Sequence, residues 1–419
     1  MSEQRPSDLE PATSPETAMF DPATTQSVPL WRDIRVIQAA AQIVFAVLVI
    51  VITFAIVNGV MSGLESIGQS PTFDFWQRPL GINFNEGPGI ASTDSTWDAF
   101  VVGIINTMRV VVLGLILSTF LGILVGVALL TPNWLIRKIT EVYVEIFRNT
   151  PLLVQLIFLY QGVFRMLPAI TNAIVLPGPV YLSIRGMVIP AFIPTDDFPV
   201  WLVYVTVGCV AAGLVWVVRG RYQTETGEPG HQVRYALLTI LAFTLLGTIV
   251  LGGVPWTVEM PQPDMRELPT GDMVIRRIEG GAPITPEYAA LLLGLVLYTA
   301  AFIGEIVRAG IQAVPHGQIE AARALGLGYG QTLQLVILPQ SLRVIIPPLG
   351  NQYLNLAKNS SLAIAIAFTD VFAIARTIMN QSGQTIVPFM TVMLFYLFLS
   401  LLISAIMNWV NNALKLKER

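Results

Sequence analysis

The chain has few charged residues and few of the side chains that build enzyme sites. Charged residues make up 12% of its 419 residues, about half the share in soluble globular domains. A lone Cys209 excludes an internal disulfide, and with His231 and His316 far apart it leaves no metal site or nucleophile triad. The tripeptide Gly-Lys-Ser/Thr is absent, so the chain brings no phosphate-binding loop for ATP. We therefore expect no catalytic residue, metal or cofactor, and a net charge of -3 gives no reason to expect nucleic acid.

Apolar runs are what the chain has in abundance. Hydrophobic residues make up 54% of it, and the mean hydropathy is +0.66. About eight segments are apolar over 18 or more residues, enough for a helix to cross a hydrocarbon layer of roughly 30 Å. They cover residues 36–57, 100–130, 142–164, 200–218, 235–254, 288–307, 342–372 and 387–414. The pattern predicts an all-α polytopic protein of the lipid bilayer, with no strand-rich domain.

The distribution of Lys and Arg predicts the orientation. With the N-terminus inside, about 14 of these residues fall in inner loops and tails and about 7 in outer ones. Both termini are therefore expected in the cytoplasm. Residues 1–30 are rich in Pro, Ser, Thr and Glu and are predicted to form a disordered cytoplasmic tail. Residues 415–419 form a second tail.

One motif lies between two apolar runs, on the side predicted to be cytoplasmic. Glu320, Ala321 and Ala322 are followed after three residues by Gly326, and nine residues later by Val-Ile-Leu-Pro ending in Leu338 and Pro339. Strong helix formers, a glycine-rich turn and a second helical piece predict a protruding helix–turn–helix. An ordinary amphipathic connector is the alternative. The spacing resembles the EAA loop by which permeases of ABC importers contact their ATPases.

Other segments narrow the resemblance. The sequences EIFRNTPLLVQ at 145–155, YTAAFIGEIVRAG at 298–310 and PPLGNQ at 347–352 are similar to the polar amino-acid (histidine/glutamine-type) branch of ABC permeases. KNSSL at 358–362 and NQSGQ at 380–384 further resemble general L-amino-acid permease subunits. The resemblance implies a type I ABC permease domain over 99–414. An insertion at about 166–286 adds two helices, and residues 31–98 add a first transmembrane helix and a periplasmic loop.

The resemblance also implies partners and function. The chain would be the permease subunit of an ATP-driven, binding-protein-dependent importer of L-amino acids in a bacterial inner membrane. Two ATP-binding subunits, a second related permease subunit and a periplasmic amino-acid-binding protein are the implied partners, and ATP hydrolysis lies on the ATP-binding subunits. Glu320, Ala321, Ala322, Gly326, Leu338 and Pro339 are then the candidate ATPase-coupling residues.

Two features are candidates for the substrate path. Arg109 lies about ten residues into an apolar run, where it can clamp a carboxylate; alternatively, it extends outward to water. The second feature is a polar stripe on one helix face, with neighbouring Gln352, in the 342–372 run. Its members are Asn351, Asn355, Lys358 and Asn359. A polar stripe in lipid must face water or protein, so it lines the path or packs against the second permease. Pro347 and Pro348 predict a break just before it.

A secondary amino-acid transporter driven by an ion gradient is the alternative function. Such a protein needs a carboxylate within the membrane, and Glu305 is the candidate away from the loops. Glu305 and Arg308, like Glu145 and Arg148, are three residues apart and share a helix face. Both pairs also fit the cytoplasmic ends of their helices. The EAA loop has no purpose in a secondary transporter.

Overall fold

The computed structural model describes residues 34–66, 73–227, 230–267, 269 and 273–414. The predicted tails at 1–30 and 415–419 lie outside the described residues. Helix α1 (Ile34–Ser66) belongs to a first unit of the chain, and residues from 73 onward form the second. At about 1.5 Å per residue, 33 residues extend for about 50 Å. The apolar stretch Ile37–Gly63 within α1 is long enough to cross a membrane.

The core of the second unit is a parallel pair of helices, α2 (Thr96–Leu129) and α7 (Pro286–Gln312). A Cβ on Gly122 would lie 2.5 Å from the Ile303 side chain, and one on Gly126 would lie 2.6 Å from Val307. The paired residue numbers rise together along both helices, so the two helices run in the same direction. The glycines bring the backbones close enough for dispersion contacts, which drive helix association in lipid.

Valine at position 304 is expected to destabilise this seam. A Cβ on Gly304 would lie 2.4 Å from Val125 and 3.4 Å from the Gly126 nitrogen, so Gly304→Val forces the two helices apart at a cost of about 1–3 kcal/mol. Gly213→Val is the matched control, because no atom lies within 4 Å of that position. Thermal unfolding in detergent checks this: equal melting temperatures for the two variants would contradict the packing described.

The third predicted span, 142–164, is wrong as a single helix. Helix α3 (Trp134–Asn149) and helix α4 (Leu152–Ile157) with its π-helical and 3₁₀ continuation to Met166 meet at an angle of 105°. Pro151 lacks an N–H and disfavours helix for the residue before it, which ends α3. Strongly amphipathic α3 carries charges on one side, as interfacial helices do. Since parallel α2 and α7 need an odd number of crossings between them, the bent pair makes one crossing.

The two other crossings between α2 and α7 form a hairpin of α5 (Phe198–Thr226) and α6 (Gln232–Val250). Small residues let these helices approach each other: a Cβ on Gly208 would lie 2.7 Å from Phe243, and one on Gly247 would lie 2.9 Å from Tyr204. The Trp201 indole N–H donates to the Thr248 hydroxyl at 3.1 Å. Both helices are apolar and leave most of their surface exposed, as expected of lipid-facing spans.

Residues 342–366 of the predicted 342–372 run lie in one candidate span, Tyr329–Ile366, which consists of several helical segments. Helix α8 (His316–Ala324), the short α9 (Tyr329–Thr332) and a π-helical turn lead into α10 (Leu338–Asn359). A 3₁₀ segment follows, then α11 (Val371–Ser382) and α12 (Ile386–Leu414). The predicted break at Pro347 and Pro348 is wrong, since both lie inside α10. The described residues contain seven helices long and apolar enough to cross a membrane, or eight if the bent pair counts as one, so the prediction of a mostly helical polytopic membrane protein is confirmed.

The described residues also contain eight short strands, which the sequence analysis did not predict. Their bounds are β1 (Ile174–Leu176), β2 (Val180–Ser183), β3 (Gly186–Ile189), β4 (Ala191–Pro194), β5 (Trp256–Glu259), β6 (Gln262–Glu267), β7 (Met273–Glu279) and β8 (Ala282–Ile284). They form an antiparallel sheet in the order β1-β2-β3-β8 and two antiparallel pairs, β4-β5 and β6-β7. Strands before α5 thus pair with strands after α6, which places both loops on one side of the membrane.

Candidate coupling loop and translocation surface

The candidate coupling loop follows α7, which ends at Gln312, and three residues separate that end from the start of α8 at His316. Its turn is set by Gly326, whose φ is +80°, a conformation that strains other residues. The Gly326 N–H donates to the Arg323 carbonyl at 2.9 Å, and the Leu327 N–H donates to the Ala322 carbonyl at 3.1 Å. These two bonds are a Schellman motif, which satisfies the last carbonyls of α8. The sequence therefore places glycine where the helix must stop and the chain must reverse.

The six predicted coupling residues differ in exposure. Glu320, Ala321, Gly326 and Leu338 are exposed, Ala322 is buried and Pro339 is half-buried. Thus α8 turns Ala322 toward the protein and leaves Glu320 facing outward. The sequence prediction missed Leu325 and Tyr329, which are 81% and 80% exposed. These two positions add large exposed apolar side chains beside the turn.

A hollow lies under the turn. It encloses about 210 Å³ and is lined by Ile319, Arg323, Leu327, Tyr329, Thr332 and Ile337. The Gly328 N–H donates to the Gln331 side-chain carbonyl at 3.0 Å, which caps α9. The loop is therefore an ordered protrusion with its own internal bonds, able to present a fixed surface to a partner.

The polar stripe lies on α10 where the sequence predicts it. Asn351, Asn355 and Lys358 are exposed, and Gln352 and Asn359 are half-buried. On its other side α10 is held to α2 by a hydrogen bond of 2.7 Å between the Tyr353 and Thr119 hydroxyls. The stripe therefore faces away from the subunit's own core. An exposed polar face within a span requires water or another protein surface beside it.

The stripe continues onto α12, which the sequence analysis did not single out. A hollow of about 280 Å³ separates α10 from α12 and is lined by Asn351, Ser404, Asn408 and Asn411 together with five more apolar or glycine positions. Ser404, Asn408 and Asn411 have i, i+4, i+7 spacing, which places them on one helix face. The sequence analysis could have identified this polar face of α12 from that spacing. The hollow offers amide and hydroxyl groups but no charged side chain.

Arg109 does not join the stripe. Its guanidinium lies 3.8 Å from the Glu86 carboxylate, 3.4 Å from the Asn106 side-chain oxygen and 5.0 Å from the Tyr288 ring centre. Position 109 is 20 residues from the C-terminal end of α2 at Leu129, or about 30 Å of helix, which is the full hydrocarbon thickness. Arg109 thus lies near the interface at the N-terminal end of α2, where it binds an acidic residue of the loop before α2.

Glu86 is a largely buried carboxylate that the sequence analysis did not single out. It accepts a hydrogen bond of 2.5 Å from the Thr285 hydroxyl at the start of α7, and burial raises its pKa above the usual range. The Asn106 amide donates to the Glu86 carbonyl at 3.3 Å and to the Thr369 carbonyl at 3.0 Å. These contacts fasten the loop to α2, α7 and the segment before α11.

Glu305 and Arg308 form the pair that their spacing predicts, with Arg308 Nη2 2.6 Å from Glu305 Oε2. Arg148 does not pair with Glu145; instead its Nη1 lies 3.7 Å from Glu305 Oε1. Among the ion pairs of the described residues, Glu145 has no partner. Glu305 therefore joins α7 to α3, and both carboxylate oxygens already have a cationic neighbour.

Asp370, between the 3₁₀ segment and α11, is fully buried. Its Oδ1 accepts from the Ala373 N–H at 2.7 Å, so it is the N-cap of α11. Burial raises the pKa of Asp370 to about 7. Because the folded-state pKa is raised, the folded protein loses stability as pH rises from about 4 to about 7, at a cost of up to about 4 kcal/mol.

Asp370→Asn should remove that pH dependence. Asparagine caps a helix as well as aspartate does and has no charge to desolvate. We expect the variant to unfold at a higher temperature than the wild type at pH 8 and at a similar temperature at pH 4.5. Identical melting curves of the two proteins at pH 8 would show that the buried carboxyl carries no such cost.

Comparison with known proteins places the chain in a family. Residues 283–417 match the model of the inner membrane component of binding-protein-dependent transport systems. The general L-amino acid transport system permease protein AapQ of Rhizobium johnstonii is 40% identical over 90% of this chain and 92% of its own length. The glutamate/glutamine/aspartate/asparagine transport system permease protein BztB of Rhodobacter capsulatus is 36% identical over 92% and 96%.

The amino-acid ABC transporter permease protein YhdX of Escherichia coli is 38% identical over 90% of this chain and 94% of its own length. These matches extend well beyond the EAA loop. Each of them covers at least 90% of this chain. The chain belongs to the permease subunits of amino-acid ABC transporters.

Proposed function

We propose that the chain is the membrane-spanning subunit of an ATP-driven, binding-protein-dependent importer of L-amino acids. The observation that carries the proposal is the ordered loop at α8, which ends in the Schellman turn at Gly326. Glu320, Leu325 and Tyr329 are exposed on it, which gives a charge and two apolar anchors to an ATPase surface. Closure of two ATP-binding subunits would move α8, and α7 would carry that movement into the membrane. The chemistry of hydrolysis lies on those subunits.

The exposed face of α10 is the proposed wall of the path. Asn351 and Asn355 offer donors and acceptors to the ammonium and carboxylate of an amino acid, and Lys358 offers a positive charge. The Ser404, Asn408 and Asn411 side of the hollow extends this wall onto α12. Gln352 and Asn359, half-buried at the edges, orient it. Arg109 is engaged by Glu86 in this structure, so we assign it to holding the outer loop.

The other side of the path would come from a second, related permease subunit. The stripe is polar and exposed in one chain, and such a face within a membrane requires protein or water. A periplasmic amino-acid-binding protein would deliver substrate to the face that carries the strands. The relatives AapQ and BztB bear names of amino-acid transport systems, which supports amino acids as the substrate class.

The proposed location is a bacterial inner membrane, with both termini in the cytoplasm. The supporting observation is the excess of Lys and Arg in the loops on that side. In this orientation α8 lies in the cytoplasm, where ATP is available. The strands then lie in the periplasm, where a binding protein is found.

Copurification followed by uptake tests the proposal. The tagged chain is extracted in mild detergent, its partners are identified, and the complex is placed in vesicles with labelled L-amino acids. We expect a P-loop ATPase and a related permease, and uptake that requires ATP and the binding protein. A chain that purifies alone, with uptake that follows a proton gradient and ignores ATP, would overturn the proposal in favour of a secondary transporter.

A further inference from the structure

We propose that Glu305 is a positioning residue that links the coupling loop to the bent crossing formed by α3 and α4. The inference rests on the proposed function, because it assumes that α8 is moved by an ATPase. Its subject is the route by which that movement reaches the rest of the membrane domain. The EAA motif does not contain this residue.

The geometry of Glu305 is that of a bridge between two helices. Its Oε2 accepts hydrogen bonds from Arg308 Nε at 3.0 Å and Nη2 at 2.6 Å, one turn along the same helix. Its Oε1 faces Arg148 Nη1 of α3 at 3.7 Å. The Arg148 guanidinium also lies over the Phe302 ring, 5.2 Å from the ring centre, so α7 holds it through both charge and π contact. Arg308 thus fixes the rotamer of Glu305, and Glu305 fixes Arg148.

Both ends of the bridge lie next to elements suited to movement. On one side, α7 continues for only seven residues past Glu305 to Gln312, and α8 starts at His316. On the other side, α3 ends one residue after Arg148, and the 105° bend follows. A helix transmits displacement along its axis because its backbone bonds are all internal. The Glu305–Arg148 ion pair is therefore the contact between α7 and α3 that lies nearest both α8 and the bend.

The bend itself is secured, so that it can follow α3 without unfolding. The Gln155 amide donates to the Phe147 and Thr150 carbonyls, both at 2.9 Å, and so satisfies the frayed end of α3. Farther up α7, the Tyr143 hydroxyl donates to the Leu297 carbonyl at 2.7 Å. Leu297 and Glu305 are eight residues apart, or about 12 Å of helix. Helix α3 is therefore attached to α7 at two points, the Tyr143–Leu297 hydrogen bond and the Arg148–Glu305 ion pair, and the ion pair is the one nearer α8.

The solvent exposure of the three side chains in the bridge favours a positioning role over a stabilising one. The side chains of Glu305, Arg148 and Arg308 are 24%, 41% and 39% exposed. A hollow of about 320 Å³ opens beside them, lined also by Glu141, Glu145 and Asn149. Ion pairs this open to solvent add little to folding, and they can break and re-form cheaply. Such a contact suits a joint between two moving helices.

The test uses the complete reconstituted transporter with its ATPases, second permease and binding protein. The readout is the number of amino-acid molecules taken up per ATP hydrolysed, which a purely structural contact would not change. We expect Glu305→Gln and Arg148→Gln each to lower this ratio about fourfold, within the range for a residue on a coupling route. The double variant should be no worse than the poorer single variant, because both break the same contact.

Glu145→Gln is the matched control, since it removes a carboxylate three residues before Arg148 from the same hollow. It should leave the ratio unchanged. Arg148→Lys, which keeps the charge but loses the planar stacking group, should give an intermediate ratio. If Glu305→Gln proves poorly folded in size-exclusion chromatography, the two Arg148 variants decide the matter alone.

Two results would overturn the inference while leaving the proposed function intact. One is a wild-type ratio in Arg148→Gln, and the other is a loss in Glu145→Gln equal to that in Glu305→Gln. A loss in the double variant equal to the product of the two single losses would likewise show that Glu305 and Arg148 have separate roles. A wild-type complex without ATP-dependent uptake would instead overturn the proposed function, and the inference with it.

Discussion

Valine at position 326 is expected to reduce ATP-driven amino-acid uptake about tenfold. Gly326 has φ = +80°, a region that costs other residues about 1–2 kcal/mol and costs β-branched ones the most. A cost of about 1.4 kcal/mol lowers the equilibrium constant for forming the turn tenfold. Without the turn, the Leu327 and Gly326 N–H groups no longer close the end of α8. The surface with Glu320 and Leu325 is then no longer presented to the ATPase.

Gly330→Val provides the matched control, four residues along the same loop. Gly330 lies in α9 without a positive φ and with no atom within 4 Å of a Cβ, so valine, a better helix former than glycine, brings neither backbone strain nor a clash there. Uptake into vesicles and the amount of ATPase that copurifies are measured for both. Wild-type uptake by Gly326→Val would show that α8 with its turn is not the coupling element.

Apolar runs and helix-stop chemistry were enough to predict much of this fold. Sequence segments of 18 or more apolar residues correspond to α1, α2, α5, α6, α7, α10 and α12, because membrane crossing demands length and hydropathy together. The turn at Gly326 was equally accessible, since only glycine accepts that backbone geometry without strain. The parallel packing of α2 on α7 was harder to predict, because Gly122 and Gly126 indicate a close helix contact but not which helix makes it.

The bend and the strands were missed for physical reasons. The 142–164 run is so apolar overall that the amphipathic pattern of α3 is not evident in it. Pro151 alone does not predict a bend of 105°, which also depends on the hydrogen bond from Gln155 to the Thr150 carbonyl. The strands are three to seven residues long, and several pair across an intervening helical hairpin. Short strands acquire their stability from partners that are far apart in sequence, so local pattern predicts them poorly.

The candidate site divides in the same way. Helical periodicity alone predicts that Asn351, Asn355 and Lys358 share a face, because residues at i, i+4 and i+7 of an α-helix lie on the same side. The Arg109–Glu86 contact was not predictable, because Glu86 lies in a loop whose course depends on Asn106 and on Thr285, 199 residues away. Glu305 was expected to pair with Arg308, but its second partner, Arg148, comes from tertiary packing of α3 on α7.

Leucine at position 355 is expected to lower uptake more than tenfold. Asn355 lies at the centre of the exposed polar face of α10, one turn from Asn351 and nearly one turn from Lys358. Leucine of similar volume removes the donor and acceptor from the wall and leaves a passing ammonium or carboxylate unsatisfied, which costs about 1–3 kcal/mol for each lost partner. ATPase copurification should be unchanged, because position 355 is remote in sequence from α8.

Asn412→Leu is the control, since it makes the same chemical change at another exposed asparagine, near the C-terminal end of α12. The amount of second permease that copurifies separates the two roles of the stripe. Loss of uptake with the second permease retained identifies the face of α10 as the wall of the path, because the complex is intact and the polar groups alone are missing. Loss of both identifies it as the contact between the permeases. Wild-type uptake by Asn355→Leu would exclude both roles for this position.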